Sequence, residues 1–122
     1  MTASRLVLTL AALYGAAGVA LMAAGTHAAG EQATIAGQML LFHASAVVAA
    51  TLARKAGFLN VALGRLAVAA LLVGVALFSA DLALRAFRSV SLFRMAAPTG
   101  GVVTIGGWLA LAAAALLAPR RG

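Results

Sequence analysis

The sequence predicts an all-α integral membrane protein, with four transmembrane helices in a compact up-down bundle. Three observations carry that prediction. Of the 122 residues, 65% are hydrophobic, whereas a soluble domain is roughly half apolar. The mean hydropathy is +1.10, and charged residues make up only 9% of the chain, too few to coat a water-facing surface. No charge occurs from Leu6 to Gly30, from Gln32 to Ala53 or from Met95 to Pro119, and a run of ~20 apolar residues spans the hydrocarbon core of a bilayer. Residues 1–122 therefore read as a single transmembrane domain.

The first span is expected over residues 6–24. MTASR followed by LVLTLAALYGAAGVALMAAG resembles a secretory signal, and THAAG offers small residues for cleavage. The apolar run exceeds the usual h-region of ~7–15 residues, which favours a membrane helix. The loop GTHAAGEQ leads to a second span over 33–53. ARKAGFLN follows, with Gly57 as a helix stop and Asn60 as the N-cap of a third span over 60–87. FRSVSLFRMAA leads to the fourth, expected over 98–118, because proline is favoured at a first helical position. With no water in the hydrocarbon to satisfy backbone groups, such spans must be helical.

Basic residues set the expected orientation. Arg5, Arg54, Lys55, Arg65, Arg120 and Arg121 fall at one end, which is six, and Arg85, Arg88 and Arg94 at the other, which is three. The positive-inside rule then puts both termini in the cytoplasm. The same placement argues against nucleic acid as the partner of the +7 net charge. A nucleic-acid footprint clusters basic and aromatic groups on one wet face, whereas these arginines flank apolar runs.

Small residues suggest where helices meet. Ala12, Ala16, Ala20 and Ala24 form a four-residue ladder in the first span. Gly100, Gly101, Gly106 and Gly107 thin the fourth, with Trp108 expected to pack between helices over the space they leave. Such side chains let backbones approach closely, which matters where no hydrophobic force acts between helices. The ladder fits a contact within one chain or between protomers equally well.

The polar residues inside the spans are few. His43 lies about ten residues into the second span, ~15 Å deep, where an ionisable group is a functional candidate by default. The alternative is a neutral histidine bonded to a neighbouring helix through Ser79 or Thr104, and the cost of a midplane charge favours that reading. Asp81 precedes Arg85 by four residues, the favoured order for an intrahelical ion pair. A sharper reading groups Gln38, His43 and Asp81 as a polar track opening outward. Tyr14 is expected to donate one buried hydrogen bond. His27 and Glu31 read as a surface pair, too few ligands for a metal site. His27 and His43 differ too much in depth to clamp one haem, and zero cysteine removes thiolate metal sites. No cofactor is expected.

In order, GVALMAAGTHAAG, QMLLFHASAVV, LFSADL and APTGGVVTIGGWLAL resemble the small inner-membrane family of unknown function that includes YgdD and YwdK. The resemblance covers nearly the whole chain. It rests most specifically on Phe78-Ser79, on Pro98-Thr99-Gly100-Gly101 with Trp108, and on His27 and His43. It implies a four-helix protein of the bacterial inner membrane and no established activity. This chain departs from the pattern at Met39-Leu40, where a Tyr-Gln pair is usual, and at Ala80-Asp81, where glycine and a small polar residue are usual. Met22, Ala24 and Thr26 also depart, near the first histidine.

Three classes of function remain. A non-catalytic accessory, assembly or lipid-contacting subunit explains the short loops and the lack of reactive groups, and is the leading expectation. Its partners would be the lipid bilayer, a second copy of the chain or another membrane protein. The alternative is a homo-oligomeric channel or carrier for protons or a small solute. An enzyme ranks last, since two acids and no cysteine leave no nucleophile–base arrangement.

Overall fold

Thr2 opens the first helix by accepting the Arg5 N–H at 3.2 Å, and α1 runs Ala3–Ala24. These observations come from a computed structural model that describes residues 2–120; Arg121, counted above among the basic residues, lies outside them. The stretch expected as a loop after α1 is instead a π-helical turn, Gly25–Ala29. The reason is local crowding. A Cβ on Gly25 would collide with the Thr34 side chain of the next helix, so only glycine lets the two meet here. Gly30, at φ +87°, then reverses the chain as a single linking residue.

The second helix, α2, runs Glu31–Lys55. Gly57 ends it as expected, in the left-handed region at φ +89°. Phe58 N–H donates to the Ala53 carbonyl and Gly57 N–H to the Arg54 carbonyl, the paired bonds of a Schellman stop. Asn60 caps α3, Val61–Arg88, by accepting the Leu63 N–H at 3.0 Å. Its own N–H donates to the Ala114 carbonyl, tying the α2–α3 connection to the last turn of the fourth helix. That helix, α4, runs Ala96–Leu116. It begins two residues before Pro98, whose missing N–H still falls among the four that lack intrahelical acceptors.

Consecutive helices pack antiparallel, but α1 and α4 are not packed against each other. They flank a central α2–α3 pair, so the expected compact up-down bundle is not a closed ring. The innermost cluster joins Ala11, Val47, Ala50, Val68 and Leu71, with Leu111 packed against it.

Two glycine contacts set the spacing. A Cβ on Gly18 would lie 2.8 Å from the Gly37 carbonyl oxygen. A Cβ on Gly100 would lie 2.5 Å from the Gly74 carbonyl oxygen and 2.6 Å from the Phe78 nitrogen. The first contact locks α1 to α2 and the second locks α3 to α4. The alanine ladder does neither. Ala16 and Ala20 are exposed, because the face of α1 that meets α2 runs through Ala11 and Gly18. Gly101 and Gly106 also make no close approach, while Gly107 is pressed against Leu71.

The interior mixes aliphatic residues such as Leu71 and Val75 with small and polar ones, while many large apolar side chains face outward. Ala33, Ala36, Ala67, Asp81 and Ser79 are buried, whereas Phe42, Leu109 and Val102 are each more than 60% exposed. All four α-helices among the described residues are long and apolar enough to cross a membrane.

Candidate functional site

The helix packing turns His43 inward from α2, leaving it 6% exposed. Two bonds hold the ring. Nδ1 lies 2.8 Å from the Met39 carbonyl of its own helix, and Trp108 of α4 donates its indole N–H to Nε2 at 3.0 Å. An indole N–H can only donate, so Nε2 presents its lone pair and Nδ1 carries the proton, donating it to Met39. The ring is a neutral imidazole with both nitrogens engaged. The rings meet edge to face, 65° apart with centroids 5.6 Å apart.

The interhelical partner is therefore neither Ser79 nor Thr104. Ser79 donates to the Ala36 carbonyl at 3.0 Å, bridging α3 to α2, and Thr104 donates to Gly100 within α4 at 2.8 Å. Trp108 is not enclosed between helices: it is 45% exposed, with its N–H edge turned in. Its hydrogen bond had one sequence signal, the single indole N–H of the chain, a donor that takes a partner when its edge is buried. A tryptophan within an apolar span reads first as packing.

Trp108→Phe should cost about 1 kcal/mol, leaving the imidazole Nε2 without a donor. His43→Gln, which keeps a donor and an acceptor, should lose only ~0.6 kcal/mol, the average of interhelical bonds in membranes. Thermal unfolding in mild detergent orders the two; a phenylalanine variant as stable as wild type would show that the bond contributes nothing.

Asp81 occupies a second polar position. It is fully buried, and each carboxylate oxygen has a donor: Arg85 Nε at 3.1 Å on Oδ2 and the Leu92 N–H at 2.7 Å on Oδ1. The Asp81–Arg85 pair is the i,i+4 ion pair that the spacing implied. The bond to Leu92 could not be read from sequence, since it ends on a backbone group of the α3–α4 connection. It makes Asp81 the anchor of that segment.

No hydrogen bond among the described residues joins Gln38, His43 and Asp81, which lie at successive depths. Ser79 is level with Ala36. Asp81 lies beyond Ser79 toward one end and half-buried Gln38 beyond Ala36 toward the other, ~6 Å apart along the axis. His43 is ~7 Å further on. Tyr14 does make its single bond, donating to the Leu72 carbonyl of α3 at 2.6 Å. His27 and Glu31 are both exposed and form no ion pair among the described residues. Nor do the described residues hold three His, Asp or Glu grouped for a metal.

No curated protein and no solved structure matches the chain. A family profile does, across residues 14–101, from Tyr14 through His43, Asp81 and the Gly74–Gly100 contact. The chain belongs to the family described as protein of unknown function DUF423.

Proposed function

We propose that this chain is a non-catalytic subunit embedded in the bacterial inner membrane, acting through the outward faces of its helices in assembly with other membrane components. The observation that carries this reading is the number of large apolar side chains that face outward. The hydrogen-bonding groups of His43, Asp81 and Ser79 are satisfied within the chain, while Phe42, Ile105 and Leu109 face outward. Such a surface suits hydrocarbon or another helix. Purification in mild detergent followed by native mass spectrometry tests it. Discrete assemblies with a partner or a second copy are expected. A homo-oligomer that conducts protons in liposomes, without any partner protein, would replace this reading with the channel.

The basic asymmetry supports cytoplasmic termini. A cysteine introduced at Ser4 should then resist an impermeant thiol reagent in intact cells, and one at Gly30 should react. The reverse pattern would invert the orientation.

A further inference from the structure

At the end of the bundle that carries Thr2, a cavity of about 390 Å³ opens between α1, α2 and α3, a size typical of small-molecule sites. Its polar wall is Ser4, Thr51, Arg54 and Arg65. Arg54 reaches Ser4 only at 3.4 Å. Neither arginine has a carboxylate within reach, since the only side-chain carboxylates, Glu31 and Asp81, sit toward the other end. Thr51 is 2% exposed, and its hydroxyl is buried with no hydrogen-bond partner, an unusual state for a native polar group. Two cations on one cavity, with the unpartnered Thr51 hydroxyl buried just beneath its wall, ask for an anion with several acceptor oxygens, which a phosphate provides.

The cavity does not stop at its polar wall. Ala69 and Leu72 line it and also line an apolar groove that continues along α1 and α3 past Leu10, Tyr14 and Leu77. A free phosphate has no use for that groove. An acyl chain does. We infer that the α1–α3 cleft binds one anionic phospholipid, its phosphate held by Arg54, Arg65 and Thr51 and an acyl chain lying over Ala69 and Leu72. The inference rests on the membrane placement proposed above and adds a specific lipid to it.

The test uses the full chain. Flotation with phosphatidylglycerol or phosphatidylcholine liposomes comes first, and failure to float with either would sink the membrane placement itself. Native mass spectrometry then compares retention of the two lipids. Wild type should keep one phosphatidylglycerol in preference to phosphatidylcholine, and millimolar inorganic phosphate should not displace it. Arg54→Gln with Arg65→Gln should reduce retention about 30-fold, the effect of two near-surface cations. Arg88→Gln with Arg94→Gln, which removes equal charge at the other end, should change nothing. Ala69→Phe, filling the groove, should abolish retention, and Thr51→Val should weaken it severalfold while folding normally. These last two decide the matter if the Arg54/Arg65 variant does not fold. Equal retention of both lipids, loss in the Arg88/Arg94 control, displacement by phosphate, or undiminished retention in Ala69→Phe or Thr51→Val would each overturn the site.

Discussion

Gly100→Ala should destabilise the protein by about 3 kcal/mol, the upper end of what overpacking costs. A single methyl has this effect because it meets backbone. The added Cβ would lie 2.5 Å from the Gly74 carbonyl oxygen and 2.6 Å from the Phe78 nitrogen, and neither can move without parting α3 from α4. Gly37→Ala should behave alike, with its Cβ 2.6 Å from the Gly18 oxygen and 2.8 Å from the Met22 nitrogen. Gly101→Ala is the control on the same helix. Its Cβ meets nothing, and the gain in helix propensity is worth up to ~1 kcal/mol. Ala16→Leu and Ala20→Leu, on an exposed face, should stay within about 0.5 kcal/mol. Detergent-solubilised thermal unfolding separates these cases. Indistinguishable transitions for the Gly100 and Gly101 variants would show that α3 and α4 are not held by that contact. A change in oligomeric state for the Ala16 variant would place the ladder between protomers.

Asp81→Ala is expected to cost about 2–3 kcal/mol, the range for losing a hydrogen bond to a charged group and orphaning its donor. The figure stays below the 3–5 kcal/mol of a fully buried ion pair, because the Arg85 side chain is 41% exposed and can turn to solvent. Arg85→Ala should therefore cost less, about 1 kcal/mol or under. The larger consequence is local. Without the carboxylate, the Leu92 N–H has no acceptor, and the segment from Ser89 to Met95 loses its tether to α3. Limited proteolysis should cut there in Asp81→Ala and spare Arg85→Ala. Equal cleavage of both would mean the backbone bond to Leu92 holds nothing.

The helices were legible because hydropathy and capping chemistry are local. Asn60 and Gly57 mark α3 and the end of α2 by their own backbone needs, and the structure uses them so. The π turn was not legible. It depends on Gly25 meeting Thr34, a contact made only once two helices have folded back on each other. The alanine ladder failed for a related reason. Alanine and glycine recur throughout this chain, so several faces of α1 carry small side chains, and periodicity cannot say which one another backbone selects. Gly18 marks the chosen face because even a methyl is excluded there. The inward turn of His43 followed from the cost of a polar ring in hydrocarbon. Its partner depended on how α4 is rotated about α2, which the Gly74–Gly100 contact fixes indirectly through α3. Asp81 was half legible: the pairing with Arg85 is written in the spacing, the bond to Leu92 is not.

Gly30 has a bearing on how copies of this chain can combine. Domain swapping requires a connection that can straighten and hand an element to a neighbour. A single residue joins the π turn to α2, and the Gly18–Gly37 contact lies only a few turns away, so α1 cannot be exchanged independently of α2. The connection from Ala56 to Asn60 is longer, and it separates two halves that each contain their own interlocked glycine pair. An exchange through that connection would move whole halves, α1 with α2 or α3 with α4. A swapped dimer would have to rebuild the α2–α3 face between chains, carrying the Ser79 bond to Ala36 and the Trp108 bond to His43 across the new junction.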